Sequence, residues 1–111
     1  MSPSEVVHAQ FDAYNAKDVE KMCSYYAEDC LFIDLSGATT MANRTVFRER
    51  FKTFAEHPDN RSWLANRVTM GNIVVDNEIN QRFPGGELRQ SIAIYTVRDG
   101  LIVRLAMGSP D

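Results

Sequence analysis

Three tight-turn signals, Gly71-Asn72, Pro84-Gly85-Gly86 and Asp99-Gly100, divide the second half of the chain into four apolar-rich runs. Glycine, asparagine and aspartate tolerate the positive φ that a hairpin turn demands, so each signal can reverse the chain within a few residues. Runs reversed that sharply pair antiparallel, because parallel pairing needs a crossover of a dozen or more residues. The reading is a meander of four strands over residues 63–70, 73–82, 88–97 and 101–107.

The first half carries the other periodicity. Val7, Phe11 and Tyr14 recur at helical spacing with Gln10 on the same stripe, Ser4-Glu5 offers a cap, and the helix should end near Asn15-Ala16. Asp18 reads as the cap of a short second helix with Val19, Met22, Cys23 and Tyr26 inward, broken at Glu28-Asp29. A short strand over 30–35 follows and turns at Ser36-Gly37-Ala38. Asn43 caps a third helix in which Phe47, Phe51 and Phe54 share a face, and Pro58 stops it, since the residue before a proline avoids helical dihedrals.

Helices followed by an antiparallel meander predict an α+β fold, three N-terminal helices packed on a strongly curved, mainly antiparallel sheet. In the run over 88–97, Ile92 and Ile94 face one way and Ala93, Tyr95 and Val97 the other. Two apolar faces need two covers, so the helices take one and a second copy of the chain is expected on the other, as a homodimer.

A chain of 111 residues, 44% of them hydrophobic, forms one domain and can bury a core without disulfides or a structural metal. A net charge of −3 with scattered basic residues argues against a nucleic-acid surface, which needs clustered Lys and Arg. No segment is apolar enough to span a membrane, and Met1-Ser2-Pro3-Ser4-Glu5 lacks the basic start and apolar run of a signal peptide, so the expected compartment is the cytoplasm. Cys23 and Cys30 are then expected as reduced, buried thiols. They form no zinc-type spacing with His8 or His57, and neither a metal nor an organic cofactor is expected.

Several segments, taken in order, resemble a known family. Tyr26-Ala27-Glu28-Asp29, a strand ending in Asp34 and then Gly37 resemble the opening of SnoaL-like and steroid delta-isomerase-like domains of the nuclear transport factor 2-like superfamily. Asn43-Arg44-x-x-Phe47-x-x-x-Phe51 is similar to their third helix, and residues 97–104 to their last hairpin, so the resemblance spans residues 5–107. It implies a cone-shaped α+β barrel around a small-molecule pocket, in a superfamily that contains isomerases, cyclases, dehydratases and non-enzymes. In the steroid isomerases a general-base Asp ends the first strand, which is the place of Asp34. A Tyr on the first helix and an Asp on the penultimate strand donate hydrogen bonds to the developing enolate there. The matching positions hold Gln10 and Ala93, so steroid isomerisation is expected to be weak or absent.

The resemblance and the residues together give a candidate site of Asp34 as base, with Gln10, Tyr14, Asn66, Asn77 and Tyr95 around the substrate. Asp34 either sits at a dry pocket mouth with a raised pKa or binds the turn amides of Ser36-Gly37. Asn66 and Asn77 interrupt apolar faces, Leu64-Val68-Met70 and Ile73-Val75-Ile79, and either meet polar partners inside or face solvent. Glu78 is placed opposite Asn77. The expected function is proton transfer on a small hydrophobic molecule, of isomerase, cyclase or dehydratase type. The alternative is a non-catalytic ligand-binding or dimerisation module of the same fold.

Overall fold

Hairpin geometry dominates the C-terminal half of the computed structural model, which describes residues 1–110. Asp99 and Gly100 both take positive φ, 51° and 78°, the pair a type I′ turn requires, and Gly71 sits at 58°. These turns join β3 (Arg61–Met70), β4 (Ile73–Gln81), β5 (Arg89–Arg98) and β6 (Leu101–Gly108) into the expected meander. The other elements are α1 (Pro3–Asn15), α2 (Val19–Cys23), β1 (Tyr26–Asp34), β2 (Thr39–Met41) and α3 (Arg44–Ala55).

The six strands form one curved mixed sheet in the order β2-β1-β6-β5-β4-β3. Only β1 and β6 pair in parallel, with Phe32 beside Leu105 and Asp34 beside Met107. That pairing is made across the length of the chain, and it explains two differences from the sequence reading. The first strand starts at Tyr26 rather than residue 30, and the short β2 forms against its far edge.

Caps fix the helices. Asp18 and Asn43 cap α2 and α3, each accepting from a backbone N–H of the first turn. The cap of α1 is Ser2 rather than Ser4. Ser2 Oγ accepts from the Glu5 N–H at 3.3 Å and Glu5 returns the bond to the Ser2 N–H at 2.8 Å, with Pro3 at the first helical position. The far end of α1 is pinned to β3: the Asn15 amide accepts from the Ser62 N–H at 2.9 Å and donates to its C=O at 3.0 Å.

The core lies between the inner sheet face and the helices. Val6, Val7, Val74, Ala93 and Ile102 are fully buried, and a run of aromatic contacts ties the layers together. Phe47 of α3 meets Tyr26 at 4.6 Å and Phe32 at 4.7 Å, Phe51 follows Phe47 at 4.6 Å, and Tyr14 of α1 lies edge-on to Phe51 at 5.5 Å. Centroid separations of this size are those of attractive aromatic pairs.

One irregularity decides which residues face the core. A β-bulge at Ala65 shifts β3 by one residue against β4: Leu64 pairs with Glu78, but Asn66 pairs with Asn77 and Arg67 with Asp76. A one-residue shift exchanges the two faces of a strand. Ser62, Leu64 and Arg67 therefore share the face of Asp76 and Glu78, while Asn66, Val68 and Met70 lie on the other and are exposed.

Candidate active site

A cavity of about 340 Å³ opens between the inner sheet face, α1 and α3. Phe11, Met22, Phe47, Phe51 and Leu105 give it apolar walls. Four of its polar side chains form one chain. The Tyr26 hydroxyl donates to Gln10 Oε1 at 2.8 Å, Gln10 Nε2 donates to the Tyr95 hydroxyl at 3.2 Å, and Tyr95 donates to Glu78 Oε1 at 3.4 Å. Gln10 Nε2 also reaches the Val7 carbonyl at 3.1 Å, so its amide is fully engaged. The bonds from Tyr26 through Gln10 and Tyr95 run in one direction toward the Glu78 carboxyl, and aligned bonds of this kind strengthen one another in a low-dielectric interior.

Glu78 owes its place to β4. Alternation along that strand sends Val74, Asp76 and Glu78 inward. Asp76 is fully buried and receives both arms of Arg67, Nε at 2.6 Å and Nη2 at 2.9 Å, while Arg67 Nη1 lies 3.2 Å from His8 Nδ1. Glu78 is buried, and among the described residues no cation pairs with it. Burial, and after it the charge of Asp76, push its pKa up to about 7, against the pull of the Tyr95 hydroxyl and Arg67. A carboxyl poised there can both take and return a proton near neutral pH. The tyrosines remain phenols: burial drives Tyr26 and Tyr95 well above their ordinary value, and it raises Tyr14 as well. Cys30, pushed to about 12 by burial, is a thiol with no nucleophilic character.

Of the residues expected from the sequence, Gln10, Tyr14 and Tyr95 line this cavity. Asp34, Asn66 and Asn77 do not. Asp34 ends β1 at the sheet rim, where its Oδ1 accepts from Ser36 Oγ at 2.6 Å, Ser36 N at 2.9 Å and Ala38 N at 3.0 Å. The Ser36 hydroxyl first, then the Ala38 amide, hold its pKa below the usual value, the reverse of the shift expected for a pocket base. The Asp34 carboxylate is thus committed to the turn. Asn66 is exposed and Asn77, which accepts from Gln90 Nε2 at 3.3 Å, is half-buried on the outer face. The inward position across from Asp76 on β5 is Ala93, fully buried and without a donor. Glu78 is the carboxylate the sequence reading passed over, and its signal was the register: the partner of inward Ala93 is Asp76, which must also point inward, and alternation sends Glu78, two residues on, the same way.

Among the described residues no group of three or more His, Cys, Asp or Glu could hold a metal ion, and no helix is long and apolar enough to cross a membrane. No curated protein sequence matches the chain. Solved structures do. An uncharacterised cystatin-fold protein from Novosphingobium aromaticivorans superposes with a TM-score of 0.87 at 24% identity, covering 97% of this chain and 98% of its own. A nuclear transport factor 2-like protein of unknown function from Cytophaga hutchinsonii follows at 0.82 and 13%, covering 99% and 91%. IdmH of Streptomyces antibioticus, a candidate polyketide cyclase, superposes at 0.78 with 20% identity over 98% and 92%. At these identities the likeness establishes the fold. The sequence pattern goes further: the model of the SnoaL-like domain matches residues 7–105, and the chain belongs to that family of the nuclear transport factor 2-like superfamily.

Proposed function

We propose that the protein transfers protons on a small, largely apolar carbonyl compound, as an isomerase, cyclase or dehydratase, with Glu78 as the carboxylate that takes and returns the proton. The observation that carries this reading is the Glu78 carboxyl itself: buried in a cavity with apolar walls, held by the Tyr95 hydroxyl, and poised at about 7. In its ionised form Glu78 accepts a proton from the carbon next to the substrate carbonyl, and in its protonated form it delivers that proton elsewhere on the same molecule. Tyr14, a neutral phenol on the cavity wall, supplies a donor for the developing enolate oxygen. Tyr26, Gln10 and Tyr95 orient the carboxyl from behind. The likeness of IdmH in fold is consistent with chemistry of this class.

The test is hydrogen–deuterium exchange at carbon, followed by NMR, over a panel of small enolisable ketones and hydroxy-ketones. Exchange should rise with pH through about 7, and Glu78→Gln should slow it by roughly 10²–10⁴-fold. Asp34→Asn should leave it within a factor of a few. Loss of exchange in the Asp34 variant with retention in Glu78→Gln refutes the assignment. A wild type that binds these ketones and exchanges none of them identifies a ligand-binding module instead.

A further inference from the structure

Arg50, Arg82 and Arg89 all line the cavity that holds Glu78, and all three are exposed, so they mark its open end. They come from opposite sides. Arg82 lies just past β4, four residues beyond Glu78 and on the same inward alternation. Arg89 starts β5, paired with Asn80 two residues along from the Ser91–Glu78 pair. Arg50 belongs to α3, between the inward Phe47 and Phe54. Among the described residues none of the three forms an ion pair, although the other internal acid–base pairs are made, as in Arg48–Glu20, Lys52–Glu49 and Arg67–Asp76. Glu78 is the one acid among the described residues of the cavity lining.

Three guanidinium groups around one opening repel each other when it is empty. In a chain of net charge −3 this is a local concentration of positive charge with no ion-pair partner among the described residues. A second, outer groove between α3 and the β4–β5 turn shares Arg50 and Arg82, so these two stand where the spaces meet. That groove also has acids, Glu49 and Asp59; Glu49 is engaged by Lys52 at 3.2 Å, and Asp59 makes no ion pair.

We infer that the pocket takes molecules with two unlike ends: an apolar body that reaches Glu78 and an anionic carboxylate or phosphate group held by Arg50, Arg82 and Arg89. The guanidinium fork matches both oxyanions. The strand sets the spacing. Four residues at about 3.3 Å each separate Glu78 from Arg82, so the anionic group lies on the order of 10 Å from the carbon that Glu78 serves. The inference uses the pocket of the proposed function and not its chemistry, and binding alone tests it.

Isothermal titration calorimetry of the full chain with three rigid probes of one shape reads it out: para-phenylbenzoate, para-phenylphenyl phosphate and the neutral para-phenylbenzyl alcohol. At least one acid should bind about tenfold or more tightly than the alcohol, and added salt should shrink the difference. The tighter of the two acids distinguishes a carboxylate ligand from a phosphorylated one. Arg82→Gln and Arg89→Gln should each remove much of the preference and together abolish it, with alcohol binding and the thermal melt unchanged. Glu78→Gln should keep it. The inference is overturned if the alcohol binds the wild type as tightly as both acids, if the preference survives in the triple variant with Arg50→Gln, or if no probe binds. A wild type that shows the preference and no carbon exchange sinks the proton-transfer reading and leaves this one standing.

Discussion

Replacing Glu78 by glutamine should make the protein more stable at alkaline pH, by an amount the pocket geometry sets. The folded-state pKa of Glu78 is about 7, against an ordinary value of 4.5. The native state therefore holds this proton more tightly than the unfolded chain does. Below the unfolded value both states are protonated and the group is neutral in its effect. As pH rises from there to 7, the unfolded chain releases the proton while the fold retains it, and stability falls. The decline ends above 7, once both states are ionised. A displacement of about 2.5 units at about 1.36 kcal/mol per unit gives a cost on the order of 3 kcal/mol, of which less than about 1 kcal/mol has accrued by pH 5. Glutamine has nearly the same volume, can still accept from Tyr95, and has no charge to bury.

Urea denaturation of both proteins from about pH 5 to pH 9 should give curves that lie close together at acid pH and diverge to about 3 kcal/mol at the alkaline end, with the Glu78→Gln variant the more stable form. For a domain of this size that is roughly 10 °C in the melting temperature. Every other titrating group is present in both proteins, so the difference curve reads the Glu78 carboxyl together with its coupling to Asp76 and Tyr95. Parallel curves across the whole range, or a variant less stable above pH 8, would refute the claim that this carboxylate is held at a cost. The same substitution should slow carbon exchange by roughly 10²–10⁴-fold, so the more stable protein should be the less active one.

Tyr95→Phe removes the donor that favours the ionised Glu78 and holds its pKa down, so the midpoint of the pH–exchange profile should move above 7 and the fold should lose about 1–3 kcal/mol in urea denaturation. Arg67→Ala leaves Asp76 buried without a partner and should cost about 3–5 kcal/mol by the same measurement, far more than removing an exposed arginine such as Arg98. The outer sheet face carries half-buried Ile73, Val75 and Ile94 beside exposed Val68 and Met70. A second copy should pair there, giving a dimer in sedimentation equilibrium at micromolar protein that Ile94→Lys converts to monomer; a monomeric wild type rejects it.

The local half of the fold was legible from the residues. The Gly71 and Asp99-Gly100 turns, the caps Asp18 and Asn43 and the Phe47-Phe51-Phe54 stripe each depend on a few neighbouring positions, and the structure keeps all of them. The early start of β1 and the existence of β2 depend on β6, at the far end of the chain, and no local pattern reports that pairing. The facing of β3 was lost at Ala65. Strict alternation puts Leu64, Asn66, Val68 and Met70 on one face, and a single extra residue sends Leu64 in and the others out. On β4 the period was right and the choice of inner face was not, because the apolar Ile73, Val75 and Ile79 look more like a core than Asp76 and Glu78 do. The facing of β5 already contained the answer, since Asn77 pairs with outward Ile92 and Asp76 with inward Ala93.

Two carboxylates pointing inward from one strand have met different fates, and the contrast picks out the reactive one. Asp76 faces Arg67 across the ladder and receives two charge-assisted bonds, so its charge is matched where it sits. Glu78, two residues on, faces the apolar Leu64 across the same ladder, on the other side of the Ala65 bulge. Among the described residues its one hydrogen-bond partner is a neutral hydroxyl at 3.4 Å, and Asp76 repels it. A buried acid left this poorly matched costs stability. It also exchanges protons at a pH where an ordinary carboxylate is spent, and paired acids whose surroundings drive them apart are the usual source of such a group. The extra residue at Ala65 brings Arg67 onto the inner face opposite Asp76, while Glu78 keeps an apolar side chain opposite it and stays free to react.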